Sequence, residues 1–157
     1  MALPVSYKHL IHLENLHPSF DMNSLLQFIE SELENKQVAD IRIKKNTISF
    51  SHGNFGGGNA QILPDIAEGF LTLKKSKNGA ILEFEIFFYG MLLKYGLGLT
   101  LLTIFSFVHL IGIVPTLITI GLFLITLITT YSNFEEFVYD TLKKFNKESH
   151  AYSIVKN

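Results

Sequence analysis

The sequence has 157 residues with 13 basic and 14 acidic side chains, a net charge of −1 and no cysteine. Without cysteine there are no disulfides, thiolate metal sites or cysteine nucleophiles, and without a large basic cluster nucleic acid is not an expected partner. Only 17% of the residues are charged, below the ~25% usual in soluble domains, and the deficit lies after Lys94.

The first half of the chain begins with a predicted strand and a predicted helix, and the first twenty residues contain no apolar run typical of a cleavable signal peptide. Residues 5–13 alternate in polarity, so one side of the strand is formed by Tyr7, His9, Ile11 and Leu13. Residues 22–35 repeat with helical spacing, and their apolar face consists of Met22, Leu25, Leu26, Ile29 and Leu33. The N-cap is expected to be Asp21, or Ser24 in a capping box with Gln27.

Three closely spaced histidines raise the question of a metal site. His9, His12 and His17 lie near Glu14, and a helix would bring the first two onto one face. In a strand, however, His9 and His12 point to opposite faces, which separates the ligands. We therefore predict surface or interface histidines and no metal site.

Two β-hairpins are predicted next. The first turns at Lys45-Asn46 within residues 39–51, with the pairs Ile43–Ile48, Ile41–Phe50 and Arg42–Ser49. The second turns at Asn78-Gly79, a favoured pair for a two-residue turn. Its strands, 68–77 and 80–88, are expected to form the pairs Lys74–Glu83, Leu73–Phe84, Thr72–Glu85 and Leu71–Ile86. Glu83 and Glu85 share a face and could form an acid–base pair, but their cross-strand partners explain them as a solvated face.

The segment 52–67 joins the hairpins without periodicity, and it is long for a compact domain. Its glycines could expose backbone N–H groups to a ligand, although it matches neither a Walker A loop nor a dinucleotide-binding turn. It is either a flexible connection or a loop that binds a ligand or partner. The candidate binding residues are His52, Gly53, Asn54, Gly56, Gly57, Gly58 and Asn59. Ile62, Leu63 and Ile66 are candidates to touch a membrane surface.

Residues 95–134 contain no Asp, Glu, Lys or Arg. A single helix of this length would measure ~60 Å, twice the thickness of a bilayer core, and Pro115 would break it. We therefore predict two transmembrane spans, about 91–110 and 114–131, that turn at residues 109–115. Phe87, Phe88 and Tyr89 are expected at the headgroups, and the basic flanks predict that both termini are cytoplasmic.

Small residues recur along both spans. They form stripes that are predicted to be helix-packing seams, since small residues let membrane helices approach closely. The alternatives are that each threonine bonds to its own helix, or that the stripes line a pore. The residues are Gly96, Thr100, Thr103, Gly112, Thr116, Thr119, Thr126 and Thr130.

The last segment begins with SNFE, residues 132–135, which matches a capping box and predicts a new helix to about Glu148. Its apolar stripe is Phe134, Phe137, Val138, Leu142 and Phe145, suited to packing on the sheet or on a partner. The predicted fold class is thus an α+β membrane protein with three parts. They are a cytoplasmic domain of one helix and an antiparallel sheet of four or five strands, residues 1–88, a transmembrane helical hairpin, 89–131, and a cytoplasmic amphipathic helix and tail, 132–157.

No catalytic residue or cofactor is predicted, since no catalytic signature is found. The first functional hypothesis is a non-enzymatic accessory or scaffold protein of the membrane, the inner membrane if the source is bacterial. It would dock a protein partner or a second copy through its cytoplasmic domain. The second hypothesis is a ligand-gated membrane effector or pore-forming oligomer, in which the domain changes how the two spans assemble. A membrane-bound enzyme is a third possibility.

Overall fold

A computed structural model of the chain describes residues 6–17, 20–51, 66–77, 79–108, 113–149 and 153–155. Its described elements are six strands and three helices. In chain order they are β1 (Ser6–Glu14), α1 (Met22–Asn35), β2 (Ala39–Lys44), β3 (Thr47–Ser51), β4 (Glu68–Ser76), β5 (Gly79–Phe87), α2 (Tyr89–Val108), α3 (Ile113–Ser149) and β6 (Ser153–Val155).

The strands form one antiparallel sheet in the order β2-β3-β4-β5-β1-β6. The prediction of an α+β fold with an antiparallel sheet is confirmed. The sheet has one strand more than predicted, because the short β6 pairs with the last residues of β1. The chain therefore returns to the sheet after α3.

The predicted helix at 22–35 is confirmed, and Asp21 is its N-cap. The Asp21 carboxylate accepts hydrogen bonds from the backbone N–H groups of Asn23 and Ser24, each at 3.1 Å. The Ser24 hydroxyl also donates to Asp21 at 2.8 Å, so Ser24 supports the cap and does not form the alternative capping box. These bonds satisfy donors that the first turn of a helix would otherwise leave unpaired.

The β2–β3 hairpin turns at the predicted place. Ile43 lies opposite Ile48, and Lys45 takes a positive φ of 56°, as the first residue of a two-residue hairpin turn requires. The predicted pairing of Ile41 with Phe50 is not part of the regular ladder, because the register shifts between Ala39 and Arg42. This irregularity bends the exposed edge strand, a feature that discourages pairing with other chains.

The β4–β5 register differs from the prediction by two residues. Leu73 lies opposite Leu82, not Phe84, and the pair nearest the turn is Ser76 with Gly79. The predicted pairs are replaced by Lys74–Ile81, Leu73–Leu82, Thr72–Glu83 and Leu71–Phe84. A shift of two keeps each side chain on its original face, so the alternation of core and open-face residues does not distinguish the two registers. The predicted matching of polar with polar residues across the strands is not kept, since Lys74 lies opposite Ile81.

The hydrophobic core lies on one face of the sheet. It is covered by α1 and by the second half of α3, whose predicted apolar stripe is buried there except for the partly buried Phe145. The opposite face, which we call the open face, has no covering element among the described residues. Within the described ranges, the sheet therefore has one packed side and one side without a covering element.

Helix α3 is continuous over 37 residues from Ile113 to Ser149. The predicted helix start at Ser132 is wrong, and the boundary drawn at 131 falls inside this helix. A capping box begins a helix only where the preceding residue leaves helical geometry, and here the preceding turns are already helical. The apolar half and the core half of α3 are consequently one rigid element.

Helix α2 has 20 residues and follows β5 after a single residue, Phe88. Phe88 is 1% exposed, so its predicted place among the headgroups is wrong. The side chains of Tyr95 in α2 and Phe123 in α3 are in contact, with ring centroids 5.3 Å apart. Of the predicted turn at residues 109–115, residues 109–112 lie outside the described residues, and residues 113–115 are the first three of α3.

By length and composition, the helical segment Val114–Lys147 is the one in the described part of the chain that could cross a bilayer. Only 6% of its most apolar window is buried, unlike the core helix of a soluble protein. Large apolar side chains are exposed along it, among them Leu117, Ile125 and Ile128, each more than 60% exposed. Such a surface is unfavourable in water.

Candidate functional site

Both apolar helices leave the sheet at the same end, which we call the helix-bearing end. Its outermost row is formed by Ser6, Phe87 and Glu68, which lie side by side on β1, β5 and β4. Helix α2 begins two residues after Phe87, and α3 passes the neighbouring residue of β1, Tyr7. The helix-bearing end is therefore where the sheet meets the two apolar segments.

A hydrogen-bonded cluster joins β1 to α3 at the helix-bearing end. The Tyr7 hydroxyl donates to the Tyr131 hydroxyl at 2.7 Å, and the two ring centroids are 3.9 Å apart. The Tyr131 hydroxyl in turn forms a hydrogen bond with the Glu135 carboxylate. The bonds run in one direction from the strand to the helix, and they tie the middle of α3 to the sheet.

His9 completes this cluster, which we call the junction cluster: Tyr7, His9, Tyr131 and Glu135. The Nδ1 atom of His9 is 3.1 Å from the Tyr7 hydroxyl oxygen. Since the Tyr7 hydrogen is directed to Tyr131, an N–H on Nδ1 is the donor that suits this contact. The Nε2 atom is 3.9 Å from a Glu135 oxygen, too long for a hydrogen bond, so an ion pair forms there only when His9 is protonated.

Tyr139 lies one helical turn beyond Glu135 and is 9% exposed. Burial, and then the negative charge of Glu135, raises the pKa of the Tyr139 phenol. The phenol stays neutral at physiological pH.

A groove of about 280 Å³ lies between α1 and α3. Its floor includes Phe137 and Thr141, both buried, and an ion pair of 2.7 Å between Lys144 and Glu32 joins its two walls. The full lining is Glu32, Lys36, Asn133, Glu136, Phe137, Asp140, Thr141 and Lys144. The groove is close to the lower size of known small-molecule sites, and it contacts the helix that carries the apolar segment.

On the open face, Glu83 is held between two lysines. Hydrogen bonds from Lys74 and Lys8, together with their positive charges, lower the pKa of the Glu83 carboxyl. A carboxyl that is ionised this readily is a poor general acid near neutral pH. The geometry therefore favours the solvated sheet face over an acid–base pair of Glu83 and Glu85.

The predicted ligand or partner loop, with its candidate residues from His52 to Asn59, lies outside the described residues. The residues on either side of it are described: β3 ends at Ser51, and the described residues continue from Ile66. Both residues are at the helix-bearing end, since Ser51 pairs with Glu68. Ile66 is fully buried in the core, so its predicted contact with a membrane surface is wrong.

The predicted helix-packing residues do not share one environment in the structure. Gly96, Thr100 and Thr103 are exposed, and a Cβ added at Gly96 would meet nothing within 4 Å. Hydroxyls along both helices bond to their own backbone, as the alternative reading expected. The bonds are Thr100 to Gly96, Thr103 to Leu99, Thr119 to Pro115 and Thr126 to Leu122.

Other members of the set have different surroundings. Thr126 also lies 3.1 Å from the Tyr95 hydroxyl, which joins the two helices, and Thr130 is 6% exposed. Thr116 is partly buried, and Gly112 lies outside the described residues. A seam between separate copies of the chain stays a prediction.

The histidines do not converge. His9 and His12 lie on opposite faces of β1, as expected for a strand, and His9 belongs to the junction cluster. Within the described residues, no group of three or more His, Asp or Glu side chains has the arrangement of a metal site.

Sequence reasoning did not find the junction cluster. Its signals are present in the sequence: Tyr7 and His9 share a strand face, and Tyr131 and Glu135 are one helical turn apart. The sequence patterns do not show that α3 is continuous, and this continuity brings the strand pair and the helix pair together. No family model matches the chain, and comparisons with curated proteins and with solved structures find no match.

Proposed function

We propose that this protein is a non-enzymatic scaffold of the membrane. In this account, α2 and the first half of α3 cross the bilayer as a hairpin. The α+β domain sits on the cytoplasmic side, on the inner membrane in a bacterium. It docks a protein partner or a second copy of the chain.

The observation that carries this proposal is the course of α3. Its first half exposes large apolar side chains, and its second half is buried in the core through Phe134, Val138 and Leu142. A continuous helix cannot swivel between the two halves, so the domain would be held at a fixed orientation to the bilayer. A fixed orientation is useful to a protein that presents a docking surface.

The topology is tested by single-cysteine labelling, which is clean because the chain has no native cysteine. A cysteine at Ser153 should react with a membrane-impermeant maleimide only after the cells are lysed. A cysteine at His109, in the predicted turn, should react in intact cells. Labelling of the Ser153 variant in intact cells would contradict the cytoplasmic placement.

The docking role is tested by purification of the full chain in a mild detergent, followed by light scattering. We expect a stable dimer or higher oligomer, or a stoichiometric complex with one protein. A monomer that carries no stoichiometric partner under several detergents would contradict the scaffold proposal.

A second candidate function is a ligand-responsive membrane effector, and the groove between α1 and α3 favours it. A molecule bound there would contact Phe137 and Thr141 on the same rigid helix that enters the bilayer. Reconstitution into dye-loaded liposomes separates the two candidates. Dye release that depends on the protein supports the effector and contradicts a purely structural role.

A further inference from the structure

We infer that Phe70, Phe87 and Tyr89 form an interfacial anchor that seats the helix-bearing end of the sheet in the headgroup region of the bilayer. This inference rests on the proposed membrane insertion and deepens it. It assigns a lipid-contacting surface to the folded domain itself, in addition to the two apolar helices.

The three aromatic side chains form one continuous cluster. The rings of Phe70 and Phe87 meet edge to face, with centroids 5.9 Å apart, and Phe87 stacks on Tyr89 at 5.6 Å. Phe70 and Phe87 are on the open face of the sheet, and both are only partly buried. Tyr89, the first residue of α2, is 38% exposed.

Polarity changes along the open face with distance from the apolar helices. The aromatic cluster occupies the end from which α2 departs, and the ion-paired group of Lys8, Glu83 and Lys74 lies farther along the strands. Glu68 is exposed beside Phe87, which a hydrated headgroup region tolerates. This order matches the change from interface to water that a protein meets when it stands on a bilayer.

The bilayer is a better occupant for this cluster than a protein. Tyr89 is part of α2, so the cluster lies within one helical turn of the segment proposed to enter the lipid. Aromatic side chains with one apolar and one polar part favour the membrane interface. A stable protein interface needs about 800 Å² on each partner, far more than three side chains provide.

The chain has no tryptophan, so a single Phe87→Trp substitution supplies a unique fluorophore. The full-length variant is reconstituted into vesicles that contain lipids brominated either near the glycerol end or near the methyl end of the acyl chain. We expect loss of fluorescence mainly with the first lipid. Tyr89→Trp is a second variant with the same expectation.

Two matched variants make the result interpretable. Leu10→Trp is on the same open face, about 13 Å farther along the sheet, and should not be quenched by either lipid. Ile125→Trp, in the exposed apolar half of α3, should be quenched most by the deeply brominated lipid.

The outcomes separate the anchor from the proposed function. If the fluorescence of Ile125→Trp is quenched and that of Phe87→Trp and Tyr89→Trp is not, the anchor is overturned while membrane insertion stands. Blue-shifted, unquenched emission from Phe87→Trp would mean that protein covers this position, and it would also overturn the anchor. If the fluorescence of Ile125→Trp is not quenched, the proposed insertion fails and the anchor fails with it.

Discussion

Gly79 lies where β5 pairs with β1, opposite Glu14. Its backbone is close to fully extended, and the need for glycine comes from a neighbour: a Cβ there would be 2.0 Å from the Leu13 carbonyl oxygen. The sequence predicts Gly79 as a turn residue, whereas the structure places it in β5 as the partner of Ser76. The physical cause of the need for glycine, contact with a distant strand, is visible only in the fold.

Gly79→Val should destabilise the protein by about 1–3 kcal/mol, because the β1–β5 ladder must open to admit the side chain. The measurement is thermal unfolding of the full chain in detergent, followed by the circular dichroism of the sheet. Gly98→Ala is the matched control, since a Cβ added at Gly98 meets nothing within 4 Å. Equal melting temperatures for Gly79→Val and the parent would contradict the close strand contact.

Lys45 has a positive φ of 56°, a conformation that costs most side chains energy and that asparagine tolerates better. Lys45→Asn should therefore stabilise the domain, by about 0.5–1 kcal/mol. Chemical denaturation of the two proteins measures the difference. Lys44→Asn, in an ordinary strand position, should bring no gain, and a gain there equal to that at 45 would contradict the explanation.

Glu83 predicts a pH dependence with a definite sign. Its pKa is lowered in the folded protein by Lys74 and Lys8, so the folded state holds the ionised form more firmly than the unfolded chain does. The resulting stability is present above the ordinary carboxyl pKa of 4.5 and is lost as the pH falls through the lower folded value.

Glu83→Gln removes this contribution. The variant should be less stable than the parent at pH 7, and the difference should shrink as the pH is lowered toward 3. Denaturant midpoints measured across this range in low salt provide the test, because salt weakens exposed ion pairs. A difference that stays constant with pH would show that the carboxylate charge is not the cause.

At the scale of elements, signals from neighbouring residues predict most helix and turn boundaries correctly. They fail where two arrangements of the chain share the same local pattern. The cap at Asp21 and the turn at Lys45-Asn46 follow from neighbouring residues alone. The β4–β5 register does not, since a slip of two residues conserves every face. The capping box at Ser132 is also a signal from neighbouring residues. It does not begin a helix, because the residues before it already belong to α3.

The second half of α3 is a structural part of the domain, and Phe134 is its central contact. Phe134 is fully buried, with its ring 5.2 Å from Phe84 and 5.9 Å from Phe50. Phe134→Ala should cost about 3–5 kcal/mol, because it leaves a cavity between helix and sheet. Ile128→Ala is the control. Ile128 lies in the first half of α3 and is 62% exposed, so its removal should leave the free energy of unfolding of the domain nearly unchanged.

Denaturant unfolding of both variants, followed by the circular dichroism of the sheet, gives the comparison. Similar small losses for the two would mean that α3 does not complete the core.

At the scale of the whole molecule, the sequence predicts an α+β domain next to an apolar region, and it predicts that the amphipathic tail packs on the sheet or on a partner. The junction cluster and the return of β6 to β1 depend on residues more than a hundred positions apart. Periodicity and capping describe neighbours along the chain, so they contain no information on these contacts.

The central claim is that α3 is one continuous helix whose exposed apolar first half is the proposed membrane span and whose second half lies in the core of the domain. Its direct test is the distance between spin labels at Ile125 and Lys143 in the protein reconstituted in lipid bilayers. Both sites are exposed, and 18 residues of continuous helix place them on the same face about 27 Å apart.

Val114 and Ser132 provide a control pair with the same separation in sequence. We expect one narrow distance distribution near about 27 Å for each pair, and access of oxygen but not of water-soluble quenchers to the label at 125. A broad or clearly shorter distribution for the 125–143 pair alone would show a break near Ser132 and would contradict the account.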